Sequence, residues 1–147
     1  MSENILEVKN LRAYYKVLKG EVKAVDDLTF NVRKGEILGV AGESGCGKST
    51  LANTLISRKP PLHYISGEVR LLGKDIMHMP SEQFRKMRFR NISLIPQYAL
   101  DAFSPTRRIK QFISDLVRDH GIKADQKFMA KVVDRLRLVN LDESVLD

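Results

Sequence analysis

The chain has 147 residues, 43% of them hydrophobic and 29% charged, and carries a formal charge of +7. This composition excludes disordered and fibrous classes and fits one ordinary globular domain. No run approaches the roughly 18 apolar residues that cross a bilayer, the opening MSENILEVKN lacks the pattern of an export signal, and a single cysteine, Cys46, cannot form an internal disulfide, so a cytoplasmic chain is expected. Residues 1–100 hold a cationic excess of six and residues 101–147 an excess of one, with FRKMRFR (84–90) alone supplying four cations. The charge therefore does not by itself identify a ligand.

Leu6 and Val8, and later Leu28, Phe30 and Val32, alternate with polar residues, the period of half-buried strands. Two antiparallel strands with a turn at Lys19-Gly20 are expected. A second turn, Arg33-Lys34-Gly35-Glu36, feeds ILGVA (37–41), whose unbroken apolar run predicts a strand buried on both faces. Leu51 and Leu55 then fall at helical spacing, and Pro60-Pro61 stop that helix. A further strand is expected over 68–72, turned by Gly73, and Pro80 opens a short helix bearing the basic cluster, with Phe84 and Phe89 turned inward. ISLI (92–95) predicts another buried strand, ended by Pro96. Beyond it, Ile109, Phe112, Ile113, Leu116 and Val117 make an amphipathic helix closed by Gly121, and Phe128, Met129, Val132, Val133 and Leu136 make a second stripe.

GESGCGKST (42–50) satisfies G-x-x-x-x-G-K-[ST], with an apolar run before it and a helix after it. Glycines let the backbone wrap round phosphates and present its amides, to which a helix N-terminus adds partial positive charge. Lys48 is expected to bridge the β and γ phosphates of a nucleotide, and Ser49 to place its hydroxyl on magnesium (Mg2+). Gly42, Glu43, Ser44, Gly45, Cys46, Gly47 and Thr50 complete the expected ATP-binding loop. Cys46 reads as a small loop residue, and His63, His78 and His120 share no metal-ligand spacing.

LEVKNLRAYY, VKAVDDLTFNVRKGEILGVAGESGCGKSTL, SGEVRLLGKDI and ISLIPQ together span most of residues 5–97 and resemble the ATP-binding-cassette (ABC) transporter ATPases, in particular the dipeptide, oligopeptide and nickel importer type. The resemblance implies an α/β P-loop NTPase fold: an antiparallel β subdomain over 1–36 with a further strand around 68–72, a partial RecA-like core over 37–99, and the start of a helical subdomain over 100–147. It assigns Tyr15 to stack on adenine, with Tyr14 as the alternative, since alternation makes the two rings face opposite ways. It also assigns Gln97, 49 residues after Lys48, a catalytic and metal-contacting role beside the attacking water. After Gln97, YALDAFSP departs from the acidic-proline start usual in the family.

A Ser-Gly-Gly signature loop, an apolar strand ending in Asp-Glu and a switch histidine, all needed by the family, have no match here. LRLVNLDES, with Asp142 and Glu143, reads as a helix end, because Val132 to Val139 continue the helical stripe. The chain is therefore expected to be the N-terminal part of a longer ATPase, inactive alone. Its parent is expected to sit on the inner face of the membrane with membrane-spanning subunits and a second ATPase subunit as partners, and no nucleic acid. Two other functions compete: a cassette ATPase of nucleic-acid maintenance, which a coiled-coil insertion after Gln97 would favour, and a non-catalytic interaction fragment that binds no nucleotide.

Overall fold

The computed structural model describes residues 3–57, 59–97, 104 and 106–147. The chain divides into two compact units, residues 1–94 and 95–147.

The first unit is built on an antiparallel sheet of four strands: β1 (Asn4–Val17), β2 (Gly20–Arg33), β3 (Leu62–Leu71) and β4 (Lys74–Asp75), in the spatial order β2-β1-β3-β4. The expected hairpin is present, with Val17 opposite Gly20 and only Leu18 and Lys19 between the strands. The Arg33–Glu36 turn is also as expected, and the Glu36 carboxylate accepts from the Arg33 amide at 2.6 Å. β3 begins six residues earlier than the expected 68.

One feature of these strands escapes a simple two-residue period. Val8 on one side of Asn10, and Leu11 and Ala13 on the other, are all fully buried, although 8 and 11 have opposite parity. The step is made by an extra residue in β1 between Lys9 and Arg12, answered by one in β3 and one in β2, where the register shifts again. Asn10 (φ 49°) and Asp27 (φ 60°) take left-handed backbone at the bulges of β1 and β2, the extra residue of β3 is Ile65, and Gly67 (φ 110°) is the single β3 residue facing Asn10 and Leu11. The Asn10 amide donates to the Asp27 carboxylate at 2.9 Å, and a Cβ on Gly67 would lie 2.6 Å from the Asn10 carbonyl oxygen. Matched bulges keep Leu62, Val69 and Leu71 of β3 on the core face as well.

Helix α1 (Lys48–Ile56) crosses that face and buries Leu51 and Thr54, while α2 (Ser81–Met87) adds Phe84. The second phenylalanine departs from expectation: Phe89 has left-handed backbone (φ 71°) and is 42% exposed. A larger departure concerns the two continuous apolar runs. Residues 37–41 form no strand, and Ile37 is 97% exposed. Residues 92–95 give only an isolated bridge between Arg88 and Ile92, with Ile95 87% exposed. A strand of the kind predicted needs ladder partners on both edges, and among the described residues no strand lies beside either run.

The second unit is helical. α3 (Ile109–Asp119) ends as expected at Gly121, with the Ile122 amide donating back to Val117. α4 (Gln126–Leu138) starts at Asp125, whose carboxylate accepts from the Phe128 amide at 2.8 Å. Residues 132–139 continue that helix and its end, as the sequence indicates, and a 3-10 helix (Glu143–Leu146) follows with Asp142 as its cap. Among the described residues of this unit, Val117 of α3 and Leu146 are buried.

Candidate phosphate-binding site

The loop over 42–50 stands between the open run 37–41 and α1, on the core side of the sheet. Gly47 occupies the N-cap of α1 with φ 97°, a conformation that costs other residues roughly 1–2 kcal/mol. A Cβ there would lie 2.2 Å from the carbonyl oxygen of Ala24 on β2. Glycine is thus demanded twice over, by the backbone turn and by the sheet behind it.

The amides of Gly45, Gly47, Lys48 and Ser49 meet no acceptor among the described residues, and α1 has no side-chain cap. Helix starts leave such donors free by construction. Four of them fall within one five-residue stretch, the arrangement that anion-binding loops use. The Lys48 ammonium bends back over the loop, donating to the carbonyl oxygens of Gly42 at 2.7 Å and Glu43 at 2.6 Å, with the Cys46 Sγ at 3.3 Å. Ser49 is exposed, and Thr50 is only 7% exposed. Ser44, Gly45 and Cys46 lie on the open side of the loop.

The two tyrosines part as alternation requires. Tyr15 lies on the core face, partly buried, with its hydroxyl 3.3 Å from the Thr50 Oγ1. Tyr14 turns to the other face and donates to the Asp26 carboxylate at 2.6 Å. Lys23 lies 5.7 Å from the Tyr14 ring centroid, and Arg12 pairs with Asp26 at 3.2 Å. The Tyr14 hydrogen bond holds the Asp26 carboxyl below its usual range against the opposing desolvation, with the cations Lys23 and Arg12 helping to lower it. The same bond is the chief cause that pushes the Tyr14 phenol up. Ala24 and Val25 of β2 are site residues that motif reading passes over. They line, with Val40, Cys46, Lys48 and Leu51, an open cavity of about 250 Å³ behind the loop.

Gln97 belongs to the second unit and is exposed in a turn. Of the YALDAFSP stretch that follows it, residues 98–103 and 105 lie outside the described residues. Asp142 accepts from the Ser144 amide at 2.9 Å, the geometry of a cap. Among the described residues no group of three or more histidine, cysteine, aspartate or glutamate side chains gathers to hold a metal ion. None of the described helices is long and apolar enough to cross a membrane.

The family model described as ABC transporter matches residues 25–147. The chain belongs to the ABC transporter family. Among the curated relatives of this ABC chain are a dipeptide transport ATP-binding protein of Caldanaerobacter subterraneus, 34% identical over 97% of the chain, and two oligopeptide transport ATP-binding proteins. These two are AppF of Bacillus subtilis, 32% identical, and OppD of Escherichia coli, 31% identical, each over 97% of the chain. The chain spans only 45%, 44% and 42% of these three proteins, respectively. A solved ATP-binding cassette, a dimer in a post-hydrolysis state bound to ADP and Pi, superposes with a TM-score of 0.75 at 18% identity, over 96% of this chain and 60% of its own. The expected α/β cassette fold is thereby established for the ABC chain, with the antiparallel sheet and helices in place.

Proposed function

We propose that the chain binds ATP with magnesium through residues 42–50, as the nucleotide-holding part of an ATPase subunit that serves peptide import. The observation that carries this is the set of free amides at Gly45, Gly47, Lys48 and Ser49 beside the Lys48 ammonium. An anion offered to that loop meets donors that need give up no protein acceptor. The Lys48 amine exchanges the carbonyl oxygens of Gly42 and Glu43 for phosphate oxygens of higher charge density.

The exposed Ser49 hydroxyl is the group that would hold magnesium, and the ion, when bound, neutralises charge on the phosphates. Gly42, Glu43, Ser44 and Cys46 shape the loop, Gly47 fixes its junction with α1, and Thr50 anchors it from within. Tyr15 supplies an aromatic face for the adenine. Gln97, on the strength of the ISLIPQ stretch alone, senses the γ phosphate through its amide.

The names of the relatives, ATP-binding proteins of dipeptide and oligopeptide transport, support a part in peptide transport; in this reading the parent hydrolyses ATP to drive it, peripheral on the cytoplasmic face, with membrane-spanning subunits and a second ATPase subunit as partners. In that reading residues 1–36 remain the antiparallel β subdomain, 37–99 the partial nucleotide core and 100–147 the start of the helical subdomain. Titration of the chain with a fluorescent ATP analogue, with and without magnesium, tests the reading. Saturable binding strengthened by magnesium and lost in Lys48→Ala is expected, and binding that Lys48→Ala leaves unchanged overturns it.

A further inference from the structure

The β1–β2 hairpin ends in a feature that the fold does not require. Two-residue hairpin turns ordinarily use Asn, Asp or Gly, whose polar or absent side chains suit both the backbone and water. Here the turn is Leu18-Lys19, and Leu18 is fully exposed at 107% relative accessibility. Val17 and Val22 on either side are 46% and 52% exposed. Leu18 thus gains nothing from burial in its own unit, and three aliphatic side chains stand together at a convex tip.

The charges around that tip are of one predominant sign. Lys16 and Lys19 are exposed, and among the described residues neither pairs with a carboxylate. The Lys16 amide donates to the Pro61 carbonyl oxygen at 3.0 Å, which brings the turn at 59–61, with its exposed Lys59, against the hairpin. Glu21 is the one acid within the hairpin end, while Lys23 is already engaged with Asp26 at 3.7 Å. A shallow apolar depression lined by Lys16, Val17, Leu18 and Lys19 completes the tip.

We propose that this tip docks on an anionic lipid surface, with Leu18, Val17 and Val22 entering the headgroup boundary and Lys16, Lys19 and Lys59 on the phosphates. A convex apolar point ringed by long cations matches a surface that is negative outside and apolar beneath. Lysine stems can lie along the acyl boundary while their ammonium groups stay in the headgroups. The depression at the tip is shallow and open, unlike the enclosed clefts that read one protein side chain. The inference does not depend on nucleotide binding, so either reading can fail without the other.

The chain has no tryptophan, so Leu18→Trp gives a single fluorescent reporter at the tip. A blue shift of its emission is expected with vesicles of phosphatidylglycerol and phosphatidylethanolamine, and none with phosphatidylcholine. In co-sedimentation, Lys16→Gln with Lys19→Gln should bind the anionic vesicles roughly 25-fold more weakly, about fivefold per cation. Raised salt should weaken the unchanged chain in the same direction. Lys127→Gln with Lys131→Gln, on the exposed face of α4, should leave vesicle binding intact, and circular dichroism checks that each variant is folded. No blue shift with anionic vesicles, an equal shift with phosphatidylcholine, or a shift produced only by a soluble acidic polypeptide overturns the proposal.

Discussion

The hydroxyl of Tyr15 on β1 lies 3.3 Å from the Oγ1 of Thr50 on α1. This contact ties the ring proposed for adenine to the helix that closes the phosphate loop, and Thr50 is itself held by accepting, through its carbonyl, from the Thr54 hydroxyl at 2.8 Å. Ring and hydroxyl therefore have separable tasks. Tyr15→Phe should lower stability by about 0.5–1.5 kcal/mol and leave the affinity for a fluorescent ATP analogue unchanged. Tyr15→Ala should weaken that affinity by about 1–3 kcal/mol, the worth of one stacked base. Equal affinity in Tyr15→Ala would remove the ring from the site.

The glycines of the loop should respond unequally to a methyl group. Gly47→Ala must place a Cβ 2.2 Å from the Ala24 carbonyl oxygen in a left-handed conformation, so its cost exceeds the roughly 1–2 kcal/mol of the backbone alone. Gly45→Ala, at φ 82° with nothing within 4 Å of its Cβ, should cost only that backbone term. Urea midpoints of the two variants against the unchanged chain measure the difference, and equal losses would show that β2 does not constrain the loop.

The Tyr14–Asp26 pair should give stability a defined pH window. Asp26 is held below its usual range when folded, so its contribution is present above the normal carboxylate range and is lost as pH falls through the folded value. Tyr14 is raised when folded, so its contribution is present below the normal phenol range and is lost as pH rises through the folded value. The stability difference between the unchanged chain and Tyr14→Phe should therefore be greatest near neutrality and shrink at both extremes. A difference that stays constant across the range would mean the hydrogen bond is not linked to either ionisation.

What could be read from residues alone followed the reach of each signal. The loop, the hairpin turn, the Gly121 terminus and the α4 stripe are set by neighbours within a few positions, and all appear where local chemistry puts them. The face on which Tyr15 lies followed from alternation, but the bulges at Asn10 and Asp27 did not, since the Asn10 side chain donates to Asp27 on another strand and Gly67 of β3 leaves room for the Asn10 carbonyl. ILGVA and ISLI misled for a related reason. An unbroken apolar run says that a segment seeks two covered faces, and says nothing of whether strands lie beside it to form the ladder. Ala24 escaped notice because its part is played by a backbone oxygen, which any residue would supply.

The second unit offers a cleaner test of local chemistry. Asp125 caps α4 by accepting from the Phe128 amide, and α4 buries none of its own side chains fully. Asp125→Ala should therefore cost about 1 kcal/mol and reduce helical ellipticity at the α4 start, with Asp125→Asn recovering most of it. Loss of ellipticity in neither variant would mean that packing rather than capping begins the helix.

The three bulges also make the sheet a matched reading frame. Deleting Asn10 alone would exchange inside for outside along the rest of β1, sending Tyr14 toward the loop and Tyr15 to the far face. Shortening one strand leaves its neighbours out of step, so single-residue deletions at Asn10 in β1, Asp27 in β2 or Ile65 in β3 should each be harmful. Which tyrosine stands beside the phosphate loop is thus decided five positions upstream, by a residue that touches neither.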